Sequence, residues 1–278
     1  MSGQLQQFVQ SNYAGAVKGS IGAWTLDHDL PVIVEPKYDG RRVFLFVSKG
    51  SGVYVTKHNG EYTRQSHPGL FSILPAFNAE RLILDCENHT RASGYDKVVV
   101  LDILNVDGKD LRAQTQMARS MALGRLFADT EKFRKVPSRL AYSTEQIESL
   151  VKAFIADGYE GGMVKDPNAV YGESGAWLKQ KKRDTGDFVI LGPDPDDNGY
   201  RKTGIAHAWF IGAYDRGNMV PWGRVGNYTF DVNPAEVVTG AVVEVSFQET
   251  TNADKLRDAF ILRVRDDKLP TECIEVRV

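Results

Sequence analysis

Apolar residues follow two rhythms along this chain. From residue 31 to about 104 they come in short, nearly continuous runs: Pro31-Val32-Ile33-Val34, Val43-Phe44-Leu45-Phe46-Val47, Val53-Tyr54-Val55, Leu82-Ile83-Leu84 and Val98-Val99-Val100-Leu101. Runs of this length between turn residues predict buried strands. Elsewhere the spacing is helical. Leu5, Phe8, Val9, Tyr13 and Ala16 predict an amphipathic helix over 4–18, ended by Gly19 to Gly22. A short helix is expected within 66–80, and an Ala-, Met- and Leu-rich helix over 114–128. The cleanest helix is 144–157, where Ile147, Leu150, Val151, Phe154 and Ile155 form one stripe. Ser143 and Gln146 resemble a capping box at its start, and Gly158 stops it.

The rhythm changes at 184–187. Beyond it come short candidate strands at 188–191, 206–214, 219–225, 241–248, 260–264 and 273–278, with no strong helix. About 90 residues of this kind suggest a small closed barrel. The expected architecture is α+β, with one domain over 1–185 and a second over 186–278.

Composition narrows the classes. The chain has 278 residues, 42% of them hydrophobic, enough for a full core. No apolar run approaches a membrane span, and no export signal is visible. The expectation is a protein that is neither membrane-bound nor secreted. Two cysteines, Cys86 and Cys273, suggest a reducing compartment and no disulfide framework. The five histidines show no metal spacing. A formal net charge of −2 argues against a generally basic coat, so any polyanion site must come from local clustering.

Local clustering is what the chain offers. Glu35-Pro36-Lys37-Tyr38-Asp39-Gly40-Arg41-Arg42 connects the first two apolar runs. A lysine there can be desolvated and crowded by other cations, two effects that favour a nucleophilic amine. Taken alone, KYDG reads better as a charged hairpin turn. Asp85 and Glu87 stand two apart at the end of a strand, on one face. Asp102 interrupts a buried run and needs a partner. Tyr159-Glu160-Gly161-Gly162-Met163-Val164-Lys165 gives a short strand bracketed by Glu160 and Lys165. Lys179 and Lys181 share a strand face, which suits a polyanion or a protected sheet edge. Arg263 and Arg265 share another, followed by Asp267 and Lys268.

Together these stretches resemble the covalent nucleotidyltransferases, and most closely the ATP-dependent DNA ligases. KYDGRR resembles the family's KxDGxR element, LDCENH its DGE element, and VVLDIL the strand that follows. EGGMVK resembles EGxxxK, WLKQK the paired-lysine element, and LRDAFILRVRDDK the C-terminal element. Six such elements in family order outweigh any one of them. Three positions depart from the pattern: Cys86 replaces a glycine, Leu101 an aromatic, and Lys57 an arginine.

The resemblance implies a nucleotidyltransferase (ATP-grasp-like) adenylation domain of antiparallel sheets and helices, followed by an OB-fold barrel. It implies sealing of 5′-phosphate/3′-hydroxyl nicks through lysyl-AMP, with ATP as co-substrate and Mg²⁺ or Mn²⁺. Lys37 would be the nucleophile. Glu35, Arg42, Glu87, Leu101, Glu160, Lys165, Lys179 and Lys181 would bind the nucleotide, with Glu35 at the adenine and Arg42 and Glu87 at the ribose. Glu87 and Glu160 would carry the metal. Arg263, Arg265, Asp267 and Lys268 would orient the pyrophosphate, and Lys57 would meet the DNA 5′-phosphate. The expected partner is nicked duplex DNA, gripped by a monomer in the cytoplasm or wherever host or viral DNA lies. With no DNA-encircling domain ahead of Lys37, a sliding clamp or repair protein could assist. The rival readings are an RNA ligase, a capping guanylyltransferase, and a non-enzymatic OB-type nucleic-acid binder.

Overall fold

The computed structural model describes residues 2–49, 51–56, 61–63, 65, 66, 68–88, 97–197, 202, 204, 206–226, 228, 229, 232–250 and 255–274. By its internal contacts the chain divides into two compact units, Met1–Lys181 and Lys182–Val278. Asp184 and Thr185 thus lie with the second unit, on its first strand.

In chain order the first unit runs α1 (Ser2–Ser11), β1 (Val17–Lys18), α2 (Ile21–Leu26), β2 (Val32–Lys37), β3 (Arg41–Ser48), β4 (Ser51–Thr56), β5 (Glu61–Tyr62), α3 (Pro68–Ser72), β6 (Arg81–Asn88), β7 (Val98–Val106) and β8 (Lys109–Asp110). It continues with α4 (Gln116–Leu123), β9 (Phe133–Lys135), β10 (Arg139–Ala141), α5 (Thr144–Ala156), β11 (Gly161–Lys165) and β12 (Trp177–Lys181). These strands form two mixed sheets. One has the order β1-β12-β11-β2-β10, and the other β5-β4-β3-β6-β7-β8 with β9 parallel to β7.

Two local expectations change. The helix expected over 4–18 stops at Ser11, and the chain re-forms as β1 at Val17. Leu5, Phe8, Tyr13 and Ala16 still pack together, against Phe44, Val55 and Trp177. Apolar spacing there reports a shared core rather than one continuous helix. The KYDG segment joins two different sheets, since β2 and β3 do not pair, so it is no hairpin turn. Asp85 and Glu87 lie near the end of β6, as expected, and the strand runs on to Asn88. Cys86 between them is fully buried and packs under the seven-stranded sheet. Its thiol is pushed up well above the ordinary value, chiefly by burial.

The helices cover the sheets as amphipathicity requires. α5 lays Ile147 and Val151 on Val32, Val34, Val164 and Leu178 of the five-stranded sheet. Ser143 caps it by accepting from the Gln146 amide, while Gln146 Oε1 accepts from the Tyr142 amide. α4 anchors through charge. Arg119, fully buried, donates from Nε and Nη2 to Asp102 at 3.0–3.2 Å, from Nη1 to the Gln114 carbonyl at 2.6 Å, and from Nη2 to Gln116 Oε1 at 2.8 Å. Gln116 Oε1 also accepts from Trp177 Nε1 at 3.2 Å. The carboxylate interrupting β7 therefore has its partner, and the network ties α4 to β7 and β12.

The second unit has β13 (Asp184–Pro193), β14 (Trp209–Asp215), β15 (Asn218–Val225), β16 (Val242–Phe247), β17 (Glu249–Thr250), β18 (Leu256–Arg257) and β19 (Phe260–Val264). Five form an antiparallel sheet, β15-β14-β13-β16-β19, over a core of Phe188, Trp209, Ile211, Trp222, Val243, Val245 and Ile261. Of the strand expected at 273–278, Ile274 bridges Tyr214, and residues 275–278 lie outside the described residues. Cys273 is buried here. Among the described residues, no helix is long and apolar enough to cross a membrane.

The Arg119–Asp102 pair generates a stability prediction. Arg119→Met strands a buried carboxylate and should cost about 3–5 kcal/mol. Urea unfolding of the variant against the wild type measures this; a loss below about 1 kcal/mol would contradict a buried, fully engaged pair.

Candidate active site

Strand register assembles the site. β2, β11 and β12 are neighbours, and their pairing sets three cross-strand rows. The first is Lys37, Gly161 and Lys181; the second Glu35, Met163 and Lys179; the third Ile33, Lys165 and Trp177. Residues two apart on a strand share a face. Lys37, Glu35, Met163, Lys165, Trp177 and Lys179 accordingly line one cleft of about 360 Å³. The opposite face of these strands is the apolar core under α5.

Gly161 makes the first row possible. A Cβ there would collide with the Gln180 carbonyl oxygen of β12. Glu160 sits just before it, with its amide donating to the Lys37 carbonyl at 3.0 Å. Its carboxylate takes Lys37 Nζ on Oε2 and Lys181 Nζ on Oε1, the latter at 2.6 Å. Burial raises the Glu160 carboxyl, but the hydrogen bonds from Lys181 and Lys37 outweigh it and hold the group below its ordinary value. The two lysines thus share one ionised carboxylate.

A second pair lies deeper. Lys165 Nζ meets Glu35 Oε2 at 2.7 Å, with both side chains almost wholly buried (3% and 2% exposed). Ser138 Oγ donates to Glu35 Oε1 at 2.9 Å, and the Lys165 ammonium lies 4.8 Å from the Trp177 ring centre. Lys165, expected at phosphate, is paired with the residue expected at adenine.

The seven-stranded sheet supplies the facing wall. Arg42 and Glu87 are register partners on β3 and β6, and Leu101 comes from β7. Gly40 lets the KYDG segment pass against β6, where a Cβ would clash with the Asn88 carbonyl. Arg42 grips Asp85 bidentately, Nε to Oδ1 at 2.8 Å and Nη2 to Oδ2 at 2.5 Å. It also donates to the Ala14 carbonyl, and its guanidinium lies 4.5 Å from the Tyr13 ring centre. Tyr171 Oη donates to Asp85 Oδ2 at 2.8 Å. The Glu87 carboxyl is pushed up to about 7, first by burial, with Asp85 and Glu160 adding and Lys37 and Arg42 opposing.

The first unit thus brings together Lys37, Glu35, Arg42, Glu87, Leu101, Glu160, Lys165, Lys179 and Lys181. Arg263, Arg265, Asp267 and Lys268 belong to the second unit, where they pair locally with Glu244, Asp187 and one another. Lys57 lies outside the described residues. Among the described residues no three metal-ligating side chains cluster. Sequence reasoning gave no site role to residues 13–16, which line the cleft, nor to Asp85, the counterion of Arg42. The Asn12-to-Gly15 break after the amphipathic stretch was the available signal for the first. The burial of Asp85 has none in a single sequence.

Residues 88–181 match the family model described as ATP dependent DNA ligase domain. A DNA ligase of Thermococcus fumicolans is 28% identical over 203 residues, covering 62% of this chain and 36% of that protein. A probable DNA ligase of Mycolicibacterium paratuberculosis is 30% identical over 205 residues, covering 63% and 38%. DNA ligase 2 of Methanosarcina mazei is 25% identical over 303 residues, covering 87% and 53%. The chain therefore spans about half or less of the length of these relatives. In fold it is similar to a Lig E DNA ligase described as binding DNA with a minimal scaffold (TM-score 0.61, 17% identity, 91% of this chain and 99% of that one). The ligase domain of M. tuberculosis LigD gives a TM-score of 0.51 at 17% identity, covering 94% and 97%. The chain is thus similar to DNA ligases in part of its sequence and in its fold.

Glu87 gives a pH prediction. Its folded value of about 7 stands above an ordinary 4.5, so the folded state keeps a proton that the unfolded state loses. Stability should therefore fall as pH rises from about 4.5 to 7, by at most about 3 kcal/mol from this group. Glu87→Gln removes that slope. In chelator-containing buffer, urea midpoints at pH 5 and pH 8 should differ more for the wild type than for the variant; parallel behaviour would contradict the assignment.

Proposed function

We propose that the chain is an ATP-dependent DNA ligase that seals nicks through a lysyl-AMP intermediate, with Lys37 as the nucleophile. The observation that carries this reading is the Lys37–Glu160–Lys181 line at a cleft also lined by Glu35, Lys165 and Lys179. In the first step the Lys37 amine attacks the α-phosphorus of ATP. An N–P bond forms, the bond to the bridging oxygen breaks, and pyrophosphate leaves. The amine must first lose a proton. Glu160 stabilises the ammonium, and Lys181 weakens that hold by drawing on the same carboxylate. In the second step a DNA 5′-phosphate oxygen takes the AMP from Lys37 and restores the amine. In the third the nick 3′-hydroxyl attacks the adenylylated phosphate, a phosphodiester forms, and AMP leaves.

The other residues take roles around that atom. Glu35, held by Lys165 and Ser138, is assigned to the base, with Leu101, Met163 and Trp177 giving the apolar lining. Arg42 and Glu87 are assigned to the ribose side, Arg42 acting also as the brace of residues 13–16. Lys165, Lys179 and Lys181 are assigned to phosphate charge. The oxygen donors Glu87 and Glu160 fit a hard divalent ion that keeps water and phosphate ligands. Bound there, Mg²⁺ or Mn²⁺ supplies charge neutralisation at the α-phosphate. The second unit is read as an OB-fold domain. Arg263, Arg265, Asp267 and Lys268 are assigned to orienting the pyrophosphate, and Lys57 to the DNA 5′-phosphate. Nicked duplex DNA is the proposed partner of a monomer, with a sliding clamp or repair protein as a further one.

Incubation with α-labelled ATP and Mg²⁺ tests the central claim. The wild type should take up covalent AMP and Lys37→Ala none; label on the variant would move the nucleophile elsewhere. Sealing is expected on a nicked DNA duplex, and GTP and nicked RNA run alongside separate the capping and RNA-ligase readings. Asp267→Ala with Lys268→Ala should slow self-adenylylation by about tenfold or more while sparing the sealing of a pre-adenylylated nick. Equal loss in both assays would contradict that division of labour.

A further inference from the structure

The second unit holds a charge network that the assigned roles do not account for. Asp187 lies on β13, in register with Glu244 of β16. Lys268 Nζ donates to its Oδ2 at 2.6 Å, and Arg265 Nη1 to its Oδ1 at 3.2 Å. The other edge of Arg265 reaches Asp267, Nε to Oδ1 at 2.7 Å and Nη2 to Oδ2 at 2.9 Å. Asp267 is the solvent end of this network (62% exposed) and Asp187 the half-buried end (17% exposed).

We propose that Asp187 is a positioning residue that holds Lys268 and Arg265 in one orientation for phosphate. This rests on the ligase reading above. Lys268 and Arg265 follow the end of β19, and each carries a long, rotamer-rich side chain. Asp187 sits within a ten-residue strand, in register with Glu244 of β16, so its backbone is held by the sheet. An ammonium has three donors and a guanidinium five, so one carboxylate can hold both cations and leave donors for a ligand. The hydrogen bond to Asp187 also raises the Lys268 ammonium above its ordinary value, keeping it charged. Without Asp187 the two side chains must be ordered anew at each encounter with ATP, which weakens binding in the first step. The later steps involve no pyrophosphate and are spared.

The test measures self-adenylylation against ATP concentration, beside sealing of a pre-adenylylated nick. Asp187→Asn should raise the KM for ATP about tenfold, change the saturated rate much less, and leave sealing intact. Asp187→Glu should recover part of the affinity, as a structural defect would not. In a Lys268→Met background, Asp187→Asn should have a much smaller effect, because one of its two dependants is gone. An unchanged KM, equal loss in both assays, or an undiminished effect in that background overturns the proposal while leaving the ligase reading in place. A wild type that takes up no AMP overturns both.

Discussion

The site depends first on the register of three strands. β2, β11 and β12 could slide only by whole residues, and a slip of one would turn every cleft-facing side chain to the apolar side. That side is packed by Ile147 and Val151 of α5, so a slip would bury lysines under a helix. The hydrophobic face thus fixes the polar one. In this register Lys37 and Lys181 stand on either side of Gly161, with Val32, Val34 and Val164 on the reverse of the sheet against the helix.

Around that frame the walls are set by buried charge. Glu35 with Lys165, Asp85 with Arg42, and Asp102 with Arg119 each pair an acid with a base in the first unit. Buried pairs are poor sources of net stability. What they provide here is directional: each acid holds its base at one angle, and each base reaches a second element. Arg42 reaches Ala14, Arg119 reaches the Ala169 carbonyl, and Lys165 lies against Trp177. The cleft is therefore held by links between segments far apart in sequence, and its shape does not rest on any one loop.

This explains what was legible in the sequence and what was not. Strands β2, β3, β4, β6 and β7 were visible as apolar runs, and β11 and β12 as short strands carrying paired charges. Helix α5 was readable to within a residue because its stripe and its Ser143 cap agree. The charged motifs could be ordered along the chain, and the structure gathers those of the first unit into one cleft. Three things escaped. The N-terminal segment was read as one helix to residue 18, because Tyr13 and Ala16 continue the spacing by joining the same core. The KYDG segment looked like a turn, because a crossing between sheets and a hairpin have the same local composition. Pairings such as Glu35 with Lys165 span well over a hundred residues, and nothing local announces them.

The burial of the two cysteines has a practical consequence. Cys86 packs beneath the seven-stranded sheet and Cys273 lies 1% exposed, with both thiols raised by burial. Neither offers a ready thiolate at neutral pH. A single cysteine introduced on an exposed position of either unit would then be the one that reacts readily with a maleimide. Dyes or spin labels could be attached to the otherwise native sequence, and each unit followed by itself, without first removing a residue from the core.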